Sequence, residues 1–217
     1  MRAKRKTAYH HGDLKRVLIQ AAVKAVAKRG VAALNLRELA ARAGVTSGAP
    51  YHHFEGRDEL LAAIAEEGFR LFEEDLTAAR DQALADASAR LAALGRAYLA
   101  FAIANPGYFR VMFHGLSLTS GPTAAGLRAF GLLREAILAC QEAGAAPAGD
   151  PEPLVLTAWS TVHGLATLWI DGALPFRGLD PERMAPEVGG LIARMFAALA
   201  REGAAAATRA SARAASS

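Results

Sequence analysis

The chain has 217 residues, 53% of them hydrophobic, enough for one or two domains with a substantial core; no internal repeat precedes its C-terminal tail. A single cysteine, Cys140, excludes an intramolecular disulfide and fits a reducing compartment, either as a packing residue or as a redox sensor. The charge is polarised: residues 1 to 57 hold 12 Lys/Arg against 3 Asp/Glu, residues 58 to 217 hold 13 against 18, and all five lysines lie in the first part, which favours a polyanion partner there.

Residues 2 to 6 carry four basic side chains and read, within a flexible arm over 1–9, as a segment that follows phosphates or enters a minor groove, or else merely solubilises. No apolar stretch follows these charges, so a signal peptide is not expected. A first helix is predicted from Gly12 or Asp13 to about Arg29, with Leu14, Leu18, Ala21, Ala22 and Ala25 on one side and Gly30 as its stop. Asn35 is a good N-cap for a second helix over Leu36 to Ala43, with Leu36, Leu39, Ala40 and Ala43 in one stripe and Gly44 as a left-handed terminator. Val45 packs at the turn, Thr46 or Ser47 caps a third short helix ending near Gly56, and Gly48 and Ala49 keep its leading edge bare. Two short helices joined by a tight turn are the grammar of a helix-turn-helix.

Tyr51, His53, Phe54 and Arg57, followed by Asp58-Glu59-Leu60-Leu61, complete a pattern that resembles the TetR family of bacterial transcriptional regulators, strongly over residues 10 to 75. Pro50 departs from it, since the family commonly has a helix former there. With Ser47 as the cap, Pro50 falls in the first turn, where a missing donor costs little, so the third helix is expected to start late. The resemblance and the charge pattern together imply a DNA-binding set of Asn35, Arg37, Thr46, Ser47, Gly48, Ala49, Tyr51, His52, His53 and Arg57. Within it Ser47, Ala49 and His52 are expected at base edges, and Asn35, Arg37, Tyr51, His53 and Arg57 at phosphates. His53, beside Phe54, equally suits a packed hinge.

Downstream every signal is helical. A helix from Arg57 to about Gln82 links the helix-turn-helix, residues 10–56, to a body over 57–202. Leu91, Leu94, Tyr98 and Phe101 mark the next helix, stopped at Asn105-Pro106. Pro106 starts a short one with Tyr108, Phe109, Met112 and Phe113, and Gly121-Pro122 breaks the chain. Leu127, Phe130, Leu133 and Ile137 stripe a helix ending near Gly144. Residues 153 to 170 contain no formal charge. Their length raises a membrane span, but Thr157, Ser160, Thr161, His163, Gly164 and Thr167 interrupt the run and no flanking basic anchor supports insertion. A helix apolar nearly all round needs cover on several sides, and a second copy of the chain is the simplest lid. A last helix, about Pro181 to Arg201, repeats the pattern. The expected homodimer interface is Leu165, Trp169, Val188, Leu191, Ile192, Met195 and Leu199, as a four-helix contact across a two-fold axis. Residues 203–217 form an Ala/Arg/Ser-rich tail, expected to fray.

Trp159-Ser-Thr-Val-His163-Gly164 is similar to the Trp-x-x-x-His-Gly signature of one C-terminal effector-domain class found behind TetR-type heads. Four residues apart, Trp159 and His163 share a helical face, either as a packed pair or as the border of an effector pocket with Phe72, Tyr98, Phe101, Phe109 and Phe113. Enzymatic readings fare poorly. His10-His11 and His52-His53 are adjacent rather than four apart, Ser160 and His163 have no recognisable acid or oxyanion loop, and there is no strand to carry a phosphate loop. No metal or cofactor is expected.

The sequence thus reads as an all-α, cytoplasmic transcriptional repressor without enzymatic activity. A three-helix helix-turn-helix domain precedes a helical-bundle ligand-binding and dimerisation domain. Its partners are double-stranded DNA carrying an inverted-repeat operator, a small, largely apolar effector and a second copy of the chain, with no membrane. Alternatives are a DNA-anchored interaction protein without a ligand and a small all-α enzyme.

Overall fold

The computed structural model describes residues 11–83, 86–113 and 123–214, with the side chains of 11–13, 182, 207 and 214 excepted. The expected basic arm and the Gly121-Pro122 break lie outside the described residues. Among those described, eight α-helices and no strand are found: α1 His11–Arg29, α2 Leu36–Ala43, α3 Arg57–Gln82, α4 Ala87–Ala104, α5 Pro106–Phe113, α6 Ala124–Glu142, α7 Glu152–Ile170 and α8 Pro181–Ala214.

The chain divides into two compact units. The first unit combines the chain up to Gly68 with Asn105–Thr123, and the second combines Phe69–Ala104 with Ala124–Ser217. α5 therefore belongs with the helix-turn-helix, and the reason is local. Gly107 of α5 sits directly on α1, where a Cβ at that position would collide with the Val23 carbonyl oxygen and lie 2.9 Å from Val23 Cγ1. Only a residue without a side chain allows that approach. A polar cluster fixes the same crossing. Gln20 Nε2 donates to Tyr108 Oη at 2.8 Å, Tyr108 donates to Glu67 Oε1 at 2.7 Å, and Arg110 Nη1 donates to the Ala27 carbonyl at 2.9 Å. The apolar core of this unit is Leu14, Leu18, Ala22, Val26, Leu36, Leu39, Phe54, Leu60 and Ile64.

In the second unit α4 is the central helix, packed against α6, α7 and α8, and buries Leu91, Leu94, Tyr98, Leu99 and Phe101. Arg128 donates twice to the Glu73 carboxylate at 2.6 and 2.8 Å, joining α6 to α3, and Arg134 reaches Glu152 at 3.1 Å, joining α6 to α7. The loop after α6 is pinned by Gln141, whose amide donates to the Pro147 and Gly149 carbonyls.

Three local features differ from the sequence expectation. Short 3₁₀ turns occupy Val31–Ala33 and Pro175–Arg177, too brief for a periodic signal. The last helix does not stop at Arg201 but runs to Ala214. Alanine has the highest helix propensity of any residue, and the Ala-rich tail extends the helix instead of breaking it. The third difference concerns the turn after α2.

Candidate nucleic-acid interface and aromatic cluster

α2 is delimited as its sequence requires. The Asn35 side chain accepts from the backbone N–H groups of Arg37 at 2.9 Å and Glu38 at 3.4 Å. At the other end Gly44 adopts φ 70°, and Val45 N–H closes back on the Ala40 carbonyl at 3.0 Å. That six-residue closure around a left-handed glycine satisfies the last carbonyls of the helix.

The element expected as a third α-helix, capped by Ser47 and running to Gly56, is a 3₁₀ turn over Ala49–His52 whose N-cap is Gly48, without a side-chain cap bond. Pro50 explains both departures. A Ser47 cap would bond the N–H three residues on, and Pro50 has none. The chain tightens instead, with Ala49 N–H bonded to the Thr46 carbonyl, Tyr51 to Gly48 and His53 to Pro50. The Pro50 ring is fully buried, and so is Phe54. Lys15 Nζ of α1 lies 5.7 Å from the centre of the Phe54 ring, favourable for a cation over an aromatic face. The turn is therefore nailed down at Pro50 and Phe54 and presents outward what lies between and before them.

All ten residues expected at DNA belong to the first unit. Asn35, Arg37, Thr46, Ser47, Gly48, Tyr51, His52 and Arg57 are exposed, and Ala49 and His53 are half-buried. Arg57 has a structural bond as well, Nη2 to the Val31 carbonyl at 2.9 Å, which leaves other guanidinium donors for a phosphate. Asn35 uses its side-chain oxygen in the cap, so its expected phosphate role falls to the amide nitrogen. One arrangement is invisible in the sequence. Glu38 receives Arg29 at 2.9 Å and Arg42 at 2.8 Å, and the hydrogen bond from Arg29, with the charge of Arg42 nearby, holds its carboxyl below the usual carboxylate range. The Arg42 pair is legible as an i, i+4 spacing. The Arg29 pair is not, because it depends on how α1 meets α2.

Of the seven residues expected around an effector, five gather in the second unit. The Phe72 ring centre is 5.1 Å from those of both Tyr98 and Phe101, and Trp159 is 5.8 Å from His163. Tyr98 Oη and His163 Nδ1 are 2.7 Å apart. Burial pushes the Tyr98 phenol well above its ordinary value and pulls the His163 imidazole below its own, so at neutral pH both are uncharged and share one hydrogen bond. Phe130, read only as a helix stripe, stands edge-on to Trp159 at 5.8 Å. The other two, Phe109 and Phe113, belong to the first unit and pack on each other at 4.8 Å.

The residues expected at a dimer interface separate by face. On α8 Ile192 and Phe196 are 9% and 1% exposed and pack within the unit, whereas Leu191, Met195 and Leu199, one helical turn apart, are 58%, 41% and 44% exposed. Ile192 is thus a core residue of the protomer. Val188, Leu165 and Trp169 are half-buried, and Leu156 and Leu168 of α7 are exposed too. α4 and α7 are each long and apolar enough to cross a membrane by length and composition; α4 is the core helix of its unit. Cys140 is buried, and burial raises its thiol, the opposite of what a reactive thiolate needs. Among the described residues no three His, Cys, Asp or Glu side chains converge as metal ligands.

A capped helix, a glycine turn and a short reading element on a basic unit, followed by a second all-helical unit, define a helix-turn-helix regulator. Residues 18–64 match the family described as bacterial regulatory proteins, tetR family, and residues 91–188 match the tetracyclin repressor-like C-terminal domain. The chain belongs to the TetR family of bacterial regulatory proteins. An HTH-type transcriptional regulator of Mycobacterium bovis is 32% identical over 85 residues, 39% of this chain, so the chain spans 36% of that relative's length. The probable acrEF/envCD operon repressor of Escherichia coli K12 is 25% identical over 189 residues, covering 82% of this chain and 84% of that protein. Among solved structures, a Rhodococcus sp. RHA1 protein of unknown function is 36% identical with TM-score 0.74, covering 88% of this chain and 100% of that one. A tetR-family regulatory protein from Rhodococcus RHA1 is 26% identical with TM-score 0.68, covering 84% and 96%.

Proposed function

We propose that this TetR-family chain is a cytoplasmic, homodimeric repressor that reads an inverted-repeat operator in double-stranded DNA and is released by a small, largely apolar effector. The observation that carries the reading is the turn after α2. Thr46, Ser47, Gly48 and His52 are exposed on a segment anchored by buried Pro50 and Phe54, in the part of the chain that holds all five lysines. Small residues let that segment enter a groove closely, with Ser47, Ala49 and His52 at base edges. Arg37, Arg57, Tyr51, Asn35 and His53 position the duplex through its phosphates.

The effector site is assigned to the second unit around Phe72, Tyr98, Phe101, Trp159 and His163, with Trp159-x-x-x-His163-Gly164 as its signature. The neutral Tyr98–His163 pair supports an uncharged or weakly polar ligand, whose orientation those two groups would fix. The dimer is assigned to α7 and α8 through Leu165, Trp169, Val188, Leu191, Met195 and Leu199. A ligand that prefers one of two separations of the paired reading turns shifts the population away from the DNA-competent state, and no chemical step is needed.

The test is a gel shift on DNA flanking the coding region, with and without a metabolite mixture. Binding that the mixture reverses supports the whole reading. Binding without release favours a DNA-anchored interaction protein, and no binding overturns the proposal. Once an effector is in hand, Trp159→Ala and His163→Ala should still bind DNA and require more effector for release; release curves identical to wild type would remove this site.

A further inference from the structure

The geometry points to Glu38 as a charge governor of the reading surface, a positioning residue that holds Arg29 and Arg42 and so limits how strongly the first unit grips DNA of any sequence. This inference rests on the proposed DNA-binding role. α2 buries Leu36, Leu39 and Ala40, which leaves Arg37, Glu38, Ala41 and Arg42 on its outward side. Arg42 meets the Glu38 carboxylate from one turn along the same helix at 2.8 Å, and Arg29 meets the same oxygen from the last turn of α1 at 2.9 Å. The Arg37 side chain, also exposed, has no hydrogen-bond or ion-pair partner among the described residues. The surface thus carries one uncommitted guanidinium and two that share a single anion.

A carboxylate is a costly group to keep on a face that must approach phosphates, because it repels the duplex directly and competes for two cations. Its presence there needs a compensating purpose. Affinity for random DNA is almost wholly electrostatic and scales with the number of phosphates neutralised, whereas specific affinity adds base contacts that do not. Restraining two arginines lowers the random-sequence term while the base contacts at Ser47, Ala49 and His52 keep theirs. The plain alternative is a clamp between α1 and α2. It predicts lost stability on removing Glu38 and no gain in DNA affinity. As an exposed pair the bridge contributes little to folding, so the two readings separate cleanly.

The experiment measures fluorescence anisotropy with a random-sequence duplex and with the flanking DNA, at several salt concentrations, for wild type, Glu38→Gln, Arg42→Gln and the double variant. The expected result is that Glu38→Gln binds random DNA several-fold tighter, with a salt slope steeper by about one to two per subunit, one for each arginine that reaches a phosphate. The thermal midpoint should stay within a few degrees of wild type. Arg42→Gln alone should change random-DNA affinity less than about two-fold, and in the Glu38→Gln background it should remove part of the gain, the rest resting on the freed Arg29 and the absent carboxylate. Unchanged or weaker random-DNA binding by a folded Glu38→Gln overturns the inference while wild-type binding leaves the regulator reading intact. If Glu38→Gln does not fold, single substitutions decide. Arg42→Gln and Arg29→Gln weakening random-DNA binding as much as Arg37→Gln overturns the inference, and weakening it less supports it. Wild type that binds neither DNA removes both the inference and the reading beneath it.

Discussion

The two units differ in how completely each is finished on its own. In the first, apolar residues turn inward, polar groups at the α1, α3 and α5 crossing find each other through Gln20, Tyr108 and Glu67, and the outward residues of α2 and its turn are charged, hydroxylic or small. In the second, α7 is charge-free from 153 to 170, and Leu156, Leu168, Leu191, Met195 and Leu199 face outward. The first surface suits a hydrated polyanion, and the second suits another apolar surface. Substitutions that exchange these characters should break the two units in different ways.

The largest effect is expected at the unfinished surface. Each large apolar side chain buried in an interface contributes about 1.5 to 3 kcal/mol, and a two-fold axis counts every substitution twice. Leu191→Glu with Met195→Glu should convert a dimer to monomer or aggregate in sedimentation velocity. A well-folded dimer of that variant would move the interface elsewhere. Ile192→Glu should behave otherwise and unfold the second unit, because Ile192 packs inward.

The next largest belongs to the finished unit. Gly107→Ala drives a methyl into the Val23 carbonyl oxygen and within 2.9 Å of Val23 Cγ1. Overpacking costs about 1 to 3 kcal/mol, and a clash with backbone, which cannot rotate away, belongs at the upper end or beyond. Gly131 in the middle of α6 has open space where a methyl would go, with no neighbouring side chain within 4 Å, so Gly131→Ala should stabilise by about 0.5 to 1 kcal/mol. Urea midpoints of the two variants should move in opposite directions, and movement in the same direction would contradict the packing described.

Smaller again is the separation of grip from reading. Arg37→Ala should weaken binding to specific and random DNA alike and flatten the salt slope by about one per subunit, while His52→Ala should change sequence preference. Intact affinity and slope in Arg37→Ala would remove Arg37 from the phosphate contacts.

The mildest effect is a pH dependence of the second unit. Burial lowers the His163 pKa below that of the unfolded chain, so the unfolded state binds the extra proton first as pH falls. The stability tied to neutral His163 is present above the ordinary histidine value of about 6.5 and is lost on acidification through the lowered folded value. Thermal midpoints between pH 8 and pH 5 should fall less steeply for His163→Gln than for wild type; parallel curves would contradict the assignment.

Most helices are legible in the sequence because they carry their own punctuation. Asn35 and Gly44 bracket α2, Gly30 ends α1 at φ 78°, and Asn105-Pro106 divides α4 from α5. Pro50 is legible as a disturbance, but its consequence is not, since a proline that relocates a cap and one that replaces an α-turn by a 3₁₀ turn leave the same trace in sequence. The tail reads as a frayed end because its composition is biased, although alanine bias favours helix. The sites divide on the same principle. Residues set by one helix, such as Trp159 with His163 or Glu38 with Arg42, follow from spacing. Contacts between helices, such as Tyr98 with His163, Phe130 with Trp159 and Glu38 with Arg29, require the packing itself, and so does the inward turn of Ile192.

Two copies of the reading turn acting together on one duplex should leave a trace in a footprint of the wild-type chain on the DNA flanking its coding region. The expected footprint is a protected inverted repeat whose two halves are centred about one helical turn apart, roughly 34 to 36 Å, or a multiple of it. Protection of a single asymmetric half-site, or none at concentrations where the chain is a dimer, would contradict it.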